Sequence, residues 1–513
     1  MKIKNIKKIV GILIILLISL PTVFGISSFH TRQEPLQKGM NTLADIDPLI
    51  DIEVTFELKA IRSLEKHDIQ IPAIEKIDAT GNPDFYVKIF INDEEFTSPI
   101  WHDTKYVYKP DWSVTLNVPD EDEYVNIIIQ LWDFNPNGDK LCDISPFNNE
   151  LPDTYEVNLR YSTRTGHWRG DDYCSYEPSS FDSSGYGRLN GCDDGSIYQK
   201  DMDCELWFDI YQNDYDNDGI PYWTETEIYK TDPTVNDRGR DDDNDSIPIE
   251  WEHKWGHYYG WHSGHYWIYH PFVWENHTIL DPDGDGLSNI IEYQMEEWGT
   301  DPFRKDVFVE LDVMESDANG QVVCFPTESE ELLYTAFNRQ NVILHLDSGC
   351  MGGSDIIPYD ELTDYDELRD MYDTYFLHND ENNARGGIFH YGVMVYCAQG
   401  ASGFVFRPDA FQISLKGMLD KKNQFPWLQQ DVIFASAYMH ELGHTFDFNP
   451  IPGHNEDCYY PWQIGWWLVG SYKSCMNYRY MYYTVDYSDG SRGKNDFDDW
   501  ERMDMTYFQR YWG

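Results

Sequence analysis

The sequence predicts a multidomain chain with three folded regions: an all-β sandwich, a linker of repeated acidic loops, and an α+β domain at the carboxyl end. Apolar and polar residues alternate with period two in segments between about 50 and 210, as half-buried strands require. From 211 to 303, carboxylates recur at every second position and a glutamate closes each pattern. Beyond 304, apolar strand-like runs and a helical stretch lead to His440-Glu441-Leu442-Gly443-His444.

Met1-Lys2-Ile3-Lys4 and Lys7-Lys8 precede an apolar run, Ile9 to Leu20, and the small-residue segment Pro21-Thr22-Val23-Phe24-Gly25. A positive start, an apolar middle and a small-residue end predict a secretory signal peptide over 1–25; a retained membrane anchor, for which the apolar run is short, is the competing reading. The expected location is therefore secreted, or the extracellular surface. Segment 26–48 lacks periodicity and reads as a linker. A chain of 513 residues has room for several cores. The formal net charge is −52, from 90 acidic against 38 basic side chains, which excludes nucleic acid as a partner because phosphates would be repelled. An aromatic content of 16% argues against disorder. The cysteines number nine, which suits an oxidising exterior and leaves at least one unpaired. The expected disulfides are Cys174 with Cys192 and Cys458 with Cys475. Asn276-His277-Thr278 is a glycosylation sequon.

In region 49–210, Asp51-Ile52-Glu53-Val54-Thr55-Phe56, Phe85-Tyr86-Val87-Lys88-Ile89-Phe90 and Val125 to Trp132 alternate as strands of an antiparallel sandwich. Asp84 to Ile89 and Ile129 to Asn135 resemble the two signature strands of a C2 domain. That resemblance implies calcium on loop aspartates, here Asp78, Asp84, Asp133 and Asp139, with Asn135 where an aspartate is common. A calcium-free sandwich with solvated acidic loops is the other reading. The sandwich would attach the chain to a surface or a polysaccharide.

In region 211–303, Asp214, Asp216 and Asp218 are followed by Gly219 and, in twelfth place, by Glu225. Asp281, Asp283, Asp285, Gly286 and Glu292 repeat that spacing. Asp241, Asp243, Asp245 and Glu252 repeat it with Ser246 in the glycine position. Oxygens at one, three and five, a turn at six and a glutamate at twelve are EF-hand-like spacing for Ca2+. Serine resists the left-handed turn that glycine accepts, so the middle loop is expected to be the weakest. With Lys230-Thr231-Asp232-Pro233 and Gly299-Thr300-Asp301-Pro302 following, the layout resembles thrombospondin type 3 calcium repeats. The insertion Trp251 to His277 is dense in Trp, Tyr and His. Aromatic packing is its expected role; a second zinc or copper site on His253, His257, His262, His265 and His270, or a sugar-binding platform, are the alternatives.

In region 304–513, strands are expected at Asp306 to Val313, Asn341 to Leu346 and Gly392 to Tyr396. A helix is expected over Glu330 to Asn338, and an amphipathic closing helix over Asp496 to Tyr511. Ala435 to Met439 leads helically into the HExxH run, so His440 and His444 share a face and can grip one zinc ion. Glu441 then stands where a carboxylate takes a proton from water. Together with Ser474-Cys475-Met476-Asn477-Tyr478, the run resembles a metzincin metallopeptidase. That resemblance implies a hydrophobic floor at Met476 and an oxyanion-stabilising Tyr478. The family's glycine and third histidine fall here on Asp447 and Pro450, so the third ligand is expected to be displaced. His454, at the end of a Pro- and Gly-rich loop, is the first candidate; Asp447 and Asp457 are the alternatives. Three protein ligands and a water are the open arrangement that catalysis needs. The function expected is a secreted, calcium-stabilised zinc endopeptidase acting on proteins or peptides. The alternative is a calcium-dependent adhesin or envelope protein with an inactive metzincin-like domain.

Overall fold

Among the described residues, ten strands build the amino-terminal sandwich: β1 (Glu53–Ser63), β2 (Phe85–Ile91), β3 (Glu94–Thr97), β4 (Tyr106–Asn117), β5 (Tyr124–Asp133), β6 (Lys140–Cys142), β7 (Val157–Ser162), β8 (Trp168–Gly170), β9 (Gly187–Asn190) and β10 (Cys204–Gln212). The computed structural model describes residues 51–65, 77, 81–146, 155–171, 187–194, 202–259, 265–316 and 323–511. All of them lie in the unit Pro48–Gly513. The expected signal segment 1–25, the linker 26–48, Asp78, Cys174 and His262 lie outside the described residues.

One sheet runs β4-β1-β10-β9; the other runs β3-β2-β5-β7-β8, with β6 on β5. Period two is explicit in β5, where Val125, Ile127, Ile129 and Leu131 are buried and the residues between them are not. Their partners across the sandwich include Phe56 and Phe208, whose rings stack 5.5 Å apart. Each such side chain contributes about 1.5–3 kcal/mol by leaving water. Gly187 is required beside them, since a Cβ there would lie 1.9 Å from the Phe208 ring.

Three loops then share one hydrogen-bond skeleton. Asp214, Asp241 and Asp281 accept the amides of Gly219 (2.8 Å), Ser246 (3.0 Å) and Gly286 (3.0 Å). Asp218, Asp245 and Asp285 accept those of Ile220 (2.8 Å), Ile247 (3.1 Å) and Leu287 (2.7 Å), all three apolar side chains being buried. The fourth positions turn left-handed at Asn217 (φ 64°), Asn244 (φ 65°) and Gly284 (φ 75°). The sixth do so at Gly219 (φ 93°), Ser246 (φ 82°) and Gly286 (φ 98°). Ser246 thus adopts the turn at a cost of about 1–2 kcal/mol. Short helical segments Thr224–Tyr229, Ile249–Gly256 and Asn289–Gln294 follow, carrying the buried Glu225, Glu252 and Glu292. The insertion carries the antiparallel pair β11 (His257–Tyr259) and β12 (His265–Trp267), and it packs aromatically: Trp251, Trp255 and Tyr269 form a small core with Phe303 against it. His253 Nδ1 meets the Tyr229 hydroxyl at 3.0 Å, and His270 Nδ1 accepts the Phe272 amide at 3.2 Å.

The carboxyl-terminal region holds a sheet ordered β14-β13-β16-β18-β17. Its strands are β13 (Asp306–Met314), β14 (Ile343–Asp347), β16 (Phe389–Val395), β17 (Gly403–Arg407) and β18 (Ala410–Ser414), with the short β15 (Ile356–Ile357) on β13. Its pairs are parallel except β17 with β18, so β17 is an antiparallel edge. Helices Thr327–Asn338 and Gln430–His444 pack against each other and this sheet. The sandwich docks on the first of them: Arg62 donates to Glu331 at 2.9 Å, and Asn338 donates to Glu205 at 2.7 Å. Among the described residues no helix is long and apolar enough to cross a membrane.

Two expectations are corrected. The closing helix over 496–511 breaks into one α-helical turn, Asp499–Arg502, capped by Asp498 and ended by Met503 at ψ 114°, and a separate 3-10 turn, Phe508–Tyr511. Tyr472 and Ser488 hold Asp499, while Met505 and Phe508 are buried, so tertiary contacts override the helical pattern. Cys458 and Cys475 are both free thiols rather than a disulfide. Cys458 lies against Asp457 at 3.5 Å and against Gly465, while Cys475 is wholly buried. The thiols that do meet are Cys142 and Cys204, hydrogen-bonded and buried between the two sandwich sheets.

Candidate metal centre

Helix Gln430–His444 is buried on every face from Val432 to Gly443, and most of those residues are apolar. One turn separates His440 from His444, whose Nε2 atoms lie 3.3 Å apart. The chain leaves the helix through Asp447 (φ 54°) and returns at Gly453 (φ 78°), which brings His454 Nε2 to 3.2 Å from His440 Nε2. A Cβ at Gly453 would lie 2.3 Å from Asn477 Oδ1, and the Tyr478 amide donates to Gly453 O at 3.2 Å. This backbone contact ties the loop to the Met476 turn. Asn477 in turn donates to Val469 O and Tyr472 O.

The three imidazoles fit a metal ion. His440 Nδ1 donates to Cys475 O at 2.8 Å, leaving its Nε2 lone pair toward the other two rings. Burial pushes all three toward the neutral form that ligates, and neighbouring histidines add to this at His440 and His444, the latter lowered to about 4. Their ligand atoms all lie within 4.8 Å of one another. Asp447 and Asp457 take other partners, Asn449 and the Cys458 thiol.

Glu441 is buried, and burial pushes its carboxyl up to about 8. It faces Gly403 on β17, where a Cβ would lie 2.5 Å from its Oε1. Met476 is fully buried under the helix. A Cβ at Gly443 would lie 2.5 Å from Met476 Sδ, so the close approach needs glycine. Gly443→Ala is expected to cost about 1–3 kcal/mol, read as a lower denaturant midpoint. An unchanged midpoint would show that Met476 can move aside.

The Tyr478 ring lies 4.2 Å from that of His454 and stacks on Tyr459 at 4.6 Å. Burial holds the Tyr478 hydroxyl in its protonated form. Gly403, Tyr459 and Tyr482, which lies near Glu441, escaped the sequence reading. The signal for Gly403 was the small-residue run Gly400-Ala401-Ser402-Gly403 before an apolar strand. Segment 459–468 also exposes Trp462, Ile464 and Trp467 beside the centre.

The acidic loops form ligand clusters at Asp214, Asp216, Asp218 and Glu225, at Asp241, Asp243 and Asp245, and at Asp281, Asp283 and Asp285. Glu292 is buried with both oxygens unpartnered. The C2-like aspartates are differently placed. Asp133 accepts from the Asp84 amide (3.0 Å) and Asn135 Nδ2 (2.5 Å), and Lys140 reaches it at 3.5 Å. Asp139 accepts from Tyr86 and the Asn135 amide, and Asp84 from the Asp103 amide and His102. Protein donors therefore already occupy these three carboxylates.

No protein-family model matches the sequence, and no curated protein matches it. Among solved structures, part of the chain is similar to a C2 domain, at 9% identity and TM-score 0.18, covering 31% of this chain and 97% of that one. It is also similar to the paired C2 domains of extended-synaptotagmin 2, at 12% identity and TM-score 0.19, over 35% of this chain and 47% of that one. A C2 domain of plant extended synaptotagmin 1 is similar at 11% identity and TM-score 0.18, over 32% of this chain and 98% of that one. Likeness at this level carries no argument about activity or ions.

Proposed function

We propose that this chain is a secreted, calcium-stabilised zinc endopeptidase. The observation that carries the reading is the convergence of His440, His444 and His454 around one point, with Glu441 on the same helix and Met476 beneath. A zinc ion held by the three histidines would supply Lewis-acid chemistry, lowering the pKa of a water toward neutrality. The positive charge would also draw the Glu441 carboxyl down from about 8, toward the ionised form that a base needs. Glu441 takes a proton from water on Oε1 or Oε2 and returns it to the departing amine. Tyr478, protonated and beside His454, donates its hydroxyl hydrogen to the oxyanion. An extended peptide would lie along β17, an edge strand whose Gly403 abuts Glu441. The three acidic loops would hold divalent cations, Ca2+ at the first and third, and the sandwich would attach the chain to a surface or polysaccharide.

Zinc content and casein hydrolysis of wild type and His454→Ala test the reading together. Wild type is expected to hold zinc and cleave; the variant is expected to lose both. Zinc and activity kept by the variant would pass the third-ligand role to Asp447 or Asp457. A wild type that neither holds zinc nor cleaves would remove the peptidase reading and favour the adhesin.

A further inference from the structure

The three acidic loops differ in what comes back to them. In each, the fifth-position aspartate accepts a backbone amide from a later acidic residue: Asp218 from Asp237 (3.1 Å), Asp245 from Glu275 (3.2 Å), Asp285 from Asp306 (2.8 Å). In the first loop that residue's carboxylate pairs with Arg240, and in the third it meets His345 at 2.5 Å. In the middle loop it does neither. Glu275 turns its carboxylate inward, and its Oε2 is buried without a partner.

Two residues later His277 enters the same pocket. Its side chain is completely buried, and Nε2 lies 3.1 Å from Asp245 Oδ2. Asp245, Glu252, Glu275 and His277 bring their ligand atoms within 4.8 Å of one another, and Asp245 is shared with the Asp241–Asp243–Asp245 cluster. Glu252 Oε1 and both Asp243 oxygens are also buried and unpartnered. Unpaired buried oxygens at this density are costly unless a cation meets them. On its far side, His277 Nδ1 lies 2.9 Å from the Asn289 side-chain amide, whose Oδ1 lacks a partner. With that amide turned over, Oδ1 accepts Nδ1–H and the Nε2 lone pair faces the carboxylates, the usual orientation of a ligating histidine.

We infer that the middle loop is a mixed carboxylate–imidazole site, built by Asp241, Asp243, Asp245, Glu252, Glu275 and His277, that takes a first-row divalent ion such as Mn2+ in preference to Ca2+. The chemistry follows from the donors. Carboxylates serve Ca2+ and Mn2+ alike, whereas imidazole nitrogen favours the transition ion. The insertion that interrupts the repeats thus supplies Glu275 and, two residues on, an imidazole where the other two loops have Gly239 and Phe308. It also couples the second loop to the third, because Asn289 opens the helix that carries Glu292.

The test uses the full chain with its histidine centre already loaded with zinc, so that added MnCl2 meets only the loops. Electron paramagnetic resonance in excess calcium is expected to show one bound Mn2+ per chain. Pulsed measurements on it are expected to show nitrogen coupling from a directly bound imidazole. His277→Gln should weaken Mn2+ binding at least tenfold, with calcium binding at the first and third loops and casein hydrolysis unchanged. Displacement of Mn2+ by calcium in wild type would overturn the inference, as would bound Mn2+ without nitrogen coupling. Nitrogen coupling is read on the unaltered protein, so a variant that fails to fold leaves the test intact. Failure of the peptidase reading would appear in casein hydrolysis and leave the Mn2+ signal untouched.

Discussion

Glu441→Gln is expected to leave zinc content unchanged while hydrolysis of casein falls by about 10²–10⁴-fold, the range typical of a positioned general base. Metal should persist because Glu441 is not among the three converging ligands. Glutamine keeps the size of the side chain beside Gly403, so the helix and the edge strand should keep their spacing. The proton-accepting oxygen is what disappears. Zinc mass spectrometry beside the rate assay reads both quantities on one sample. Loss of metal together with activity would show that Glu441 supports the site structurally; full activity would assign the base elsewhere.

The second large effect lies in the acidic loops and depends on pH. Without a cation, burial and neighbouring carboxylates push Asp216 and Asp285 up to about 7, Glu225 to about 8 and Glu252 to about 10. Unfolded carboxyls titrate near 4. Between those values the metal-free folded chain binds more protons than the unfolded chain, so its stability is full at acid pH and falls as pH rises through the folded values. Bound cations replace those protons. Chelated Glu441→Gln protein, chosen to prevent self-digestion, is therefore expected to melt at a lower temperature at pH 8 than at pH 5. Cation-loaded protein should show little of that dependence. Restoring calcium should stabilise by about 2.7 kcal/mol per loop at a hundredfold excess over Kd. Equal melting of the chelated protein at the two pH values would sink this account.

Legibility in the sequence followed the range of the interactions. The loop spacing was readable because every ligand and turn residue of an EF-like loop lies within twelve positions, and local backbone geometry repeats with it at Asn217, Asn244 and Gly284. Strands β2, β5 and β13 were readable because one or both faces are buried along their whole length. The HExxH helix was readable for the same reason. The helix expected near the carboxyl end failed because Asp499, Met505 and Phe508 answer to partners far from them in sequence. The expected disulfide failed because cysteine positions carry no distance information.

What the sequence by itself determined is therefore local: periodicity, the paired histidines, the acidic loops and the charge. Tertiary structure decided which distant residues complete each site. His454 meets His440 because Gly453 lets the loop pass against Asn477. His277 meets Asp245 because the aromatic core of the insertion folds it back over the middle loop. The physical reason is common to both. Spacing along a helix or loop places ligands through covalent geometry, whereas convergence across a fold depends on packing that no short segment encodes.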